Sequence, residues 1–107
     1  MEREPYYDLE VAQNLVKEAN YRATKRLRNN LQNHGYIVDE TIEDVFAAIR
    51  PENYYKTDKL ENIPGVFADI YRHVICYGEE WYVKFFIEEN GKASLEIWSL
   101  KEDGYTY

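Results

Sequence analysis

Lys56, Arg72, Tyr82, Lys84 and Lys101 sit within and at the edges of segments that alternate like β-strands and are rich in Val, Ile, Phe, Tyr and Trp. Amines, a guanidinium and a phenol are groups that metal-independent RNA cleavage can use. That reaction drives a 2′-hydroxyl onto its own neighbouring phosphate. One group takes the hydroxyl proton, another protonates the departing 5′-oxygen, and cations hold the crowded phosphate oxygens. Histidine with glutamate is one solution. Lysine, arginine and tyrosine are another, where the site lowers a lysine pKa or hydrogen-bonds the phenol. Each of the five also has a plainer reading. Lys56 guards an edge strand, Arg72 forms a surface ion pair, Lys84 snorkels past the sheet, Tyr82 packs on the surface, and Lys101 is a solvated lysine near the chain end. Whether they gather on one face of a sheet separates the two readings.

Other chemistries have little to work with. The sequence contains no Gly-rich phosphate loop, no Gly-x-Ser-x-Gly elbow and no Cys-x-x-Cys pair. His34, His73 and Cys76 are too scattered to argue for zinc, so no metal and no cofactor are expected. His34 precedes Gly35 and reads as a helix C-cap. His73 reads as a packed strand residue, with general base as the alternative. Cys76, in an apolar run, reads as a buried structural thiol.

The elements that must position these groups are legible in outline. Asp8 reads as an N-cap, followed by Leu9, Ala12, Val16 and Ala19 on one helical face. A second helix starts at Thr24, carries Leu27 and Leu31, and stops at Gly35. A third is signalled by Thr41-Ile42-Glu43-Asp44, with Ile42, Val45, Phe46 and Ile49 as its apolar face. Pro51 ends it. The period then changes to two, and Tyr54–Leu60, Val66–Tyr77, Trp81–Glu88 and Ala93–Lys101 read as strands. Asn90-Gly91 is a type I′ hairpin signal. A two-residue turn there sets Tyr82 opposite Ser99 and places Tyr82, Lys84 and Lys101 on one face, with Tyr82 and Lys101 as diagonal neighbours about 7–8 Å apart. Phe86, Leu95 and Ile97 share that face; Trp81, Val83, Phe85 and Ile87 take the other. The expected architecture is α+β: N-terminal helices packed on a C-terminal antiparallel meander.

A chain of 107 residues is expected to form a single domain, 1–107. No apolar run approaches the roughly 18 residues of a membrane span, and no signal-peptide pattern opens the chain, so a cytoplasmic protein is expected. The net charge of −7 argues against a general nucleic-acid binder, yet Arg22, Lys25, Arg26 and Arg28 follow one another with no acid between them.

Taken in order, Tyr54-Tyr55-Lys56-Thr57, Phe67-Ala68-Asp69-Ile70-Tyr71-Arg72, Gly78-x-x-x-Tyr82-Val83-Lys84 and Ser99-Leu100-Lys101-Glu102 resemble the MqsR family of bacterial toxins. Leu15-Val16-Lys17, Tyr21-Arg22-Ala23-Thr24 and the stretch from Val38 to Ile49 fit in outline. The resemblance implies a RelE-like α+β fold and a small mRNA interferase that cuts single-stranded mRNA without metal and is held in check by a cognate antitoxin. It implies catalytic roles for Lys56, Tyr82 and Lys101, the tyrosine aligning only with one residue inserted among Gly78-Glu79-Glu80-Trp81. Arg22, Lys25, Arg26, Arg72 and Lys84 are the candidate RNA-binding cations. Two departures stand out: a family glutamine falls on Ala68, and the chain is acidic. They leave room for a second reading, a weakened or inactive module that binds a partner protein.

Overall fold

The computed structural model describes residues 4–103. Helix α1 (Leu9–Lys17) begins where expected, with Asp8 Oδ1 accepting from the backbone N–H groups of Glu10 at 2.8 Å and Val11 at 3.3 Å. After the short strand β1 (Tyr21–Ala23), helix α2 (Lys25–Asn33) is capped by Thr24, whose hydroxyl accepts from the Leu27 N–H at 3.2 Å. Gly35 follows at φ +81°, a conformation that stops a helix and suits a residue without Cβ.

Helix α3 (Val38–Ala48) starts one turn earlier than its sequence signal. Thr41 lies inside the helix, 2% exposed, and Ile37 takes the N-cap position without a side-chain bond. Asp39 and Glu40 in the first turn favour the positive end of the helix dipole, and Val38 gains burial by joining. Those two effects replace the missing cap. Pro51 ends the helix as expected: Arg50 is extended, and a 3-10 turn (Pro51–Asn53) leads into the sheet.

Strands β2 (Tyr54–Lys59), β3 (Phe67–Cys76), β4 (Glu79–Asn90) and β5 (Lys92–Glu102) form the expected antiparallel meander. The sheet as a whole is mixed, because β1 adds to its edge in the order β1-β5-β4-β3-β2 and runs parallel to β5. Three residues are too few to show a period in sequence. Tyr21 lies opposite Leu95 and Ala23 opposite Ile97, with the Leu95 N–H donating to the Asn20 carbonyl at 3.0 Å.

The last hairpin departs from the expected register twice. Asn90 pairs directly with Lys92, which leaves only Gly91, at φ +88°, between them. This one-residue slip moves Leu95 and Ile97 to the face of Trp81, Val83, Phe85 and Ile87, and that face takes the helices. The ladder then shifts again: Phe85 faces Ile97 but Lys84 faces Ser99, so Trp98 has no partner. The extra residue turns Leu100 into the core and returns Lys101 to the side of Tyr82, directly opposite it. Tyr82 and Lys101 share a face, as expected, through two departures that cancel.

Between helices and sheet, Leu27, Ile42, Val45, Phe46, Trp81, Val83, Phe85, Leu95 and Ile97 are at most 1% exposed. Each such aliphatic or aromatic side chain contributes about 1.5–3 kcal/mol by leaving water. On the opposite face, Leu60, Ala68 and Phe86 form a smaller cluster with Ile63, Val66 and Trp98. The segment between β2 and β3 thus covers part of the outer face and leaves the rest open.

Candidate functional site

Strand pairing sets the candidate residues in two rows on the open part of the outer face. Lys56, Ile70, Lys84 and Ser99 lie side by side across β2, β3, β4 and β5. At the usual strand spacing, Lys56 and Lys84 are about 10 Å apart at the backbone. In the next row Tyr82 faces Lys101 on one side and the irregular step Arg72-His73 of β3 on the other. The Lys101 amine lies 5.2 Å from the centre of the Tyr82 ring.

Three strand pairs break register at this level: between Tyr54 and Lys56, between Tyr71 and Val74, and between Lys84 and Phe85. An extra residue kinks a strand and re-aims its side chain. Tyr55 is the extra residue of β2, and His73 adopts φ +58°, a left-handed conformation that non-glycine residues rarely enter. The irregularities line up beneath the cluster of amines and phenols, and they bring side chains from four strands to one area.

The electrostatics of this area are mixed. Arg72 donates to Asp103 Oδ1 at 2.9 Å, and the His73 backbone N–H donates to Asp103 Oδ2 at 3.3 Å. The Arg72 guanidinium also lies 5.2 Å from the Tyr55 ring centre. Lys56 pairs with Asp58 at 3.5 Å. Burial pushes the Tyr82 phenol above its ordinary value; the Asp58 charge adds to the rise and Arg72 opposes it. A phenol shifted this way keeps its proton throughout the neutral range and acts as a hydrogen-bond donor.

Asp103 moves the other way. Burial pushes its carboxyl up, but the Arg72 hydrogen bond, the His73 N–H and the two neighbouring positive charges outweigh that and leave it below the ordinary 3.8. Its contribution to stability is therefore complete above pH 3.8 and is lost as the pH falls through the depressed folded value. Asp103→Asn is expected to lower the neutral-pH melt and to flatten this limb of the stability-against-pH curve below about pH 4, both read by thermal melts.

The family model described as motility quorum-sensing regulator, toxin of MqsA, matches residues 4–102. The chain belongs to the MqsR toxin family. It is therefore a toxin of a toxin–antitoxin system. No curated protein matches the chain.

Against the MqsR expectation, the structure brings Lys56, Tyr82, Lys101, Arg72 and Lys84 together and leaves Arg22, Lys25 and Arg26 elsewhere. Arg22 is on β1 at the far edge of the sheet, paired with Glu96 at 3.1 Å and close to Glu88 at 3.9 Å. Lys25 and Arg26 are exposed residues of α2, whose Leu27 and Leu31 pack on the opposite face. The run of basic residues is contiguous in sequence but is divided by the strand-to-helix turn at Thr24. Ala68, where the family glutamine falls, is fully buried against Leu60 and Phe86. At that position the outer face is covered by apolar packing.

Sequence reasoning overlooked Tyr55, Asp58 and Asp103. The signal for Asp103 was available, since it lies two residues beyond Lys101 and alternation puts it on the same side. Tyr55 was hidden because strict alternation sends it inward. His73, Glu80 and Asp103 bring ligand atoms within 4.8 Å of one another, with His73 Nδ1 at 2.6 Å from Glu80 Oε1. These donors could hold a divalent ion only at the expense of the Arg72–Asp103 pair, so they read as a charge network. No helix among the described residues is long and apolar enough to cross a membrane.

Proposed function

We propose that the chain, as one domain over residues 1–107, is an mRNA endoribonuclease: the toxin of its pair, cleaving single-stranded mRNA without a metal. The observation that carries this reading is the direct opposition of Tyr82 and Lys101 on the helix-free face, with Lys56, Lys84 and Arg72 in the adjoining positions. Family membership supports the same reading.

The phosphodiester lies over Tyr82, between Lys56 and Lys101. The 2′-hydroxyl attacks phosphorus, the bond to the 5′-oxygen breaks, and the products are a 2′,3′-cyclic phosphate and a free 5′-hydroxyl. Tyr82, which keeps its proton at neutral pH, donates a hydrogen bond to a phosphate oxygen or the leaving oxygen. Lys56 and Lys101 offset the charge that builds on the phosphate and relay the protons of attack and departure. Arg72 and Lys84 hold the flanking backbone. The partner is a cognate antitoxin, and the setting is the cytoplasm.

Purified protein incubated with an unstructured transcript in EDTA is expected to yield fragments with cyclic phosphate ends, and induced expression is expected to arrest growth unless the antitoxin is present. A folded sample that leaves the transcript whole sinks the proposal. The second reading, a module that binds a partner without cleaving, draws on buried Ala68 and the net charge of −7. Harmless expression with a co-purifying antitoxin supports that reading instead.

A further inference from the structure

Tyr55 is the extra residue of β2 and remains 46% exposed, although it adjoins the most crowded part of the outer face. Two cations lie over its ring: Arg72 Cζ 5.2 Å from the ring centre and Lys56 Nζ 5.5 Å. Arg72 is in turn anchored by Asp103 at 2.9 Å, so the guanidinium beside the ring is fixed. The other well-exposed tyrosines are engaged elsewhere. Tyr77 stacks on Tyr36 with centroids 6.0 Å apart and donates to Asp44. Tyr6 packs on Phe67 at 5.1 Å and edge-on to Tyr7. Among the described residues, no aromatic ring packs on Tyr55.

From this geometry we infer that Tyr55 is a nucleobase-stacking platform, which holds one unpaired base of the RNA beside the phosphate bound over Tyr82. This rests on the reading of the face as an RNA-cleaving surface and adds to it how the strand is seated. A half-exposed ring with cations held against it offers what single-stranded nucleic acid requires, since a base stacks on the ring and phosphates meet the charges. A duplex base is already stacked on its neighbours and cannot reach the ring, so the platform selects single strands. Tyr82 is two strands away, about 10 Å at the backbone, a distance that an extended nucleotide spans. Arg72, fixed against the ring by Asp103, keeps the platform from rotating. The Lys56 amine, 5.5 Å from the ring centre, adds a second charge beside the stacked base.

The probe is a short unstructured RNA made non-cleavable by 2′-O-methyl groups and carrying a single 2-aminopurine, moved one position at a time. The wild-type protein is expected to quench the fluorescence at one position only. Tyr55→Ala is expected to abolish that quench and weaken binding about tenfold, as the loss of one stacked base does. Tyr55→Phe retains both, whereas Tyr55→Leu, which keeps apolar bulk without a π-face, loses the quench. On cleavable RNA, Tyr55→Ala raises KM and leaves kcat near wild type. Unchanged quench and affinity in folded Tyr55→Ala overturn the inference even when the wild type cleaves. Quench without cleavage overturns the nuclease chemistry alone. Failure of the wild type to bind any probe overturns both.

Discussion

Tyr82→Phe and Lys101→Ala are each expected to slow RNA cleavage by at least about a hundredfold, the usual scale for a lost proton-handling group, while the folded protein melts at its wild-type temperature. The two residues face each other across β4 and β5 on the side of the sheet away from the helices. Removing the phenol oxygen leaves the ring in place beneath the Lys101 amine, 5.2 Å from its centre, so Tyr82→Phe isolates the hydroxyl. Losing the amine forfeits a cation–π contact worth roughly 0.5–1 kcal/mol at an exposed site, too little to unfold the domain. The pH dependence has a definite sign. The phenol's pKa is raised from 10.0, first by burial and then by Asp58, so its donor role persists through neutrality and fades only on the alkaline side of 10.0. In Tyr82→Phe that alkaline limb should disappear along with most of the rate. Initial rates on a defined transcript, paired with melts of each variant, provide the check. Wild-type rates in both variants would remove these residues from the chemistry.

The largest expected effect on stability comes from Asp69→Ala. Asp69 is fully buried, and its two oxygens accept from the backbone N–H groups of Tyr6 at 2.9 Å and Tyr7 at 2.8 Å and from the Thr57 hydroxyl at 2.5 Å. Thr57 is bonded in turn to the Tyr54 hydroxyl at 2.6 Å. One carboxylate thus ties the segment before α1, the edge strand β2 and the beginning of β3 together. Truncating it leaves the two backbone N–H groups without an acceptor and cuts the Thr57 link to β3, a loss of about 3 kcal/mol. For a domain of this size that lowers Tm by about 12 °C or more. Asp69→Asn keeps one oxygen and should lose less. Because β2 also carries Tyr55 and Lys56, cleavage should fall in Asp69→Ala even at temperatures where the protein remains folded. A Tm within a degree or two of wild type would show that the network is dispensable.

How much of this the sequence discloses depends on the length over which a signal repeats. Thr24, with Leu27 and Leu31 after it and Gly35 at the end, is a complete helix sentence, and α2 follows it closely. The four long strands announce themselves through alternation. β1 does not, because three residues carry no period and its partner lies more than seventy positions away. The start of α3 was misplaced because a tertiary contact at Val38 outweighed a local cap. At the site, the sharing of one face by Tyr82 and Lys101 was legible only through a compensation. Gly91 alone closes the turn, and Trp98 restores what that shift removed. Neither irregularity has a signature in residue type. Arg22, Lys25 and Arg26 were grouped by adjacency along the chain, which a strand followed by a helix dissolves into different surfaces. Tyr55, Asp58 and Asp103 escaped because strand irregularities and short acidic side chains attract no motif.

The unpartnered Trp98 makes the length of β5 a matter of odd and even. Between Gly91 and Lys101, removing or adding a single residue in the regular part of the strand would swing the terminal amine through the sheet and into the layer occupied by Leu100 and Val83. A lone ammonium there costs several kcal/mol, so the strand end would peel away before accepting it. Changes of two residues keep the facing and alter only reach. Strand length here therefore works as a parity setting for the amine, one that no point substitution of Lys101's neighbours can reset.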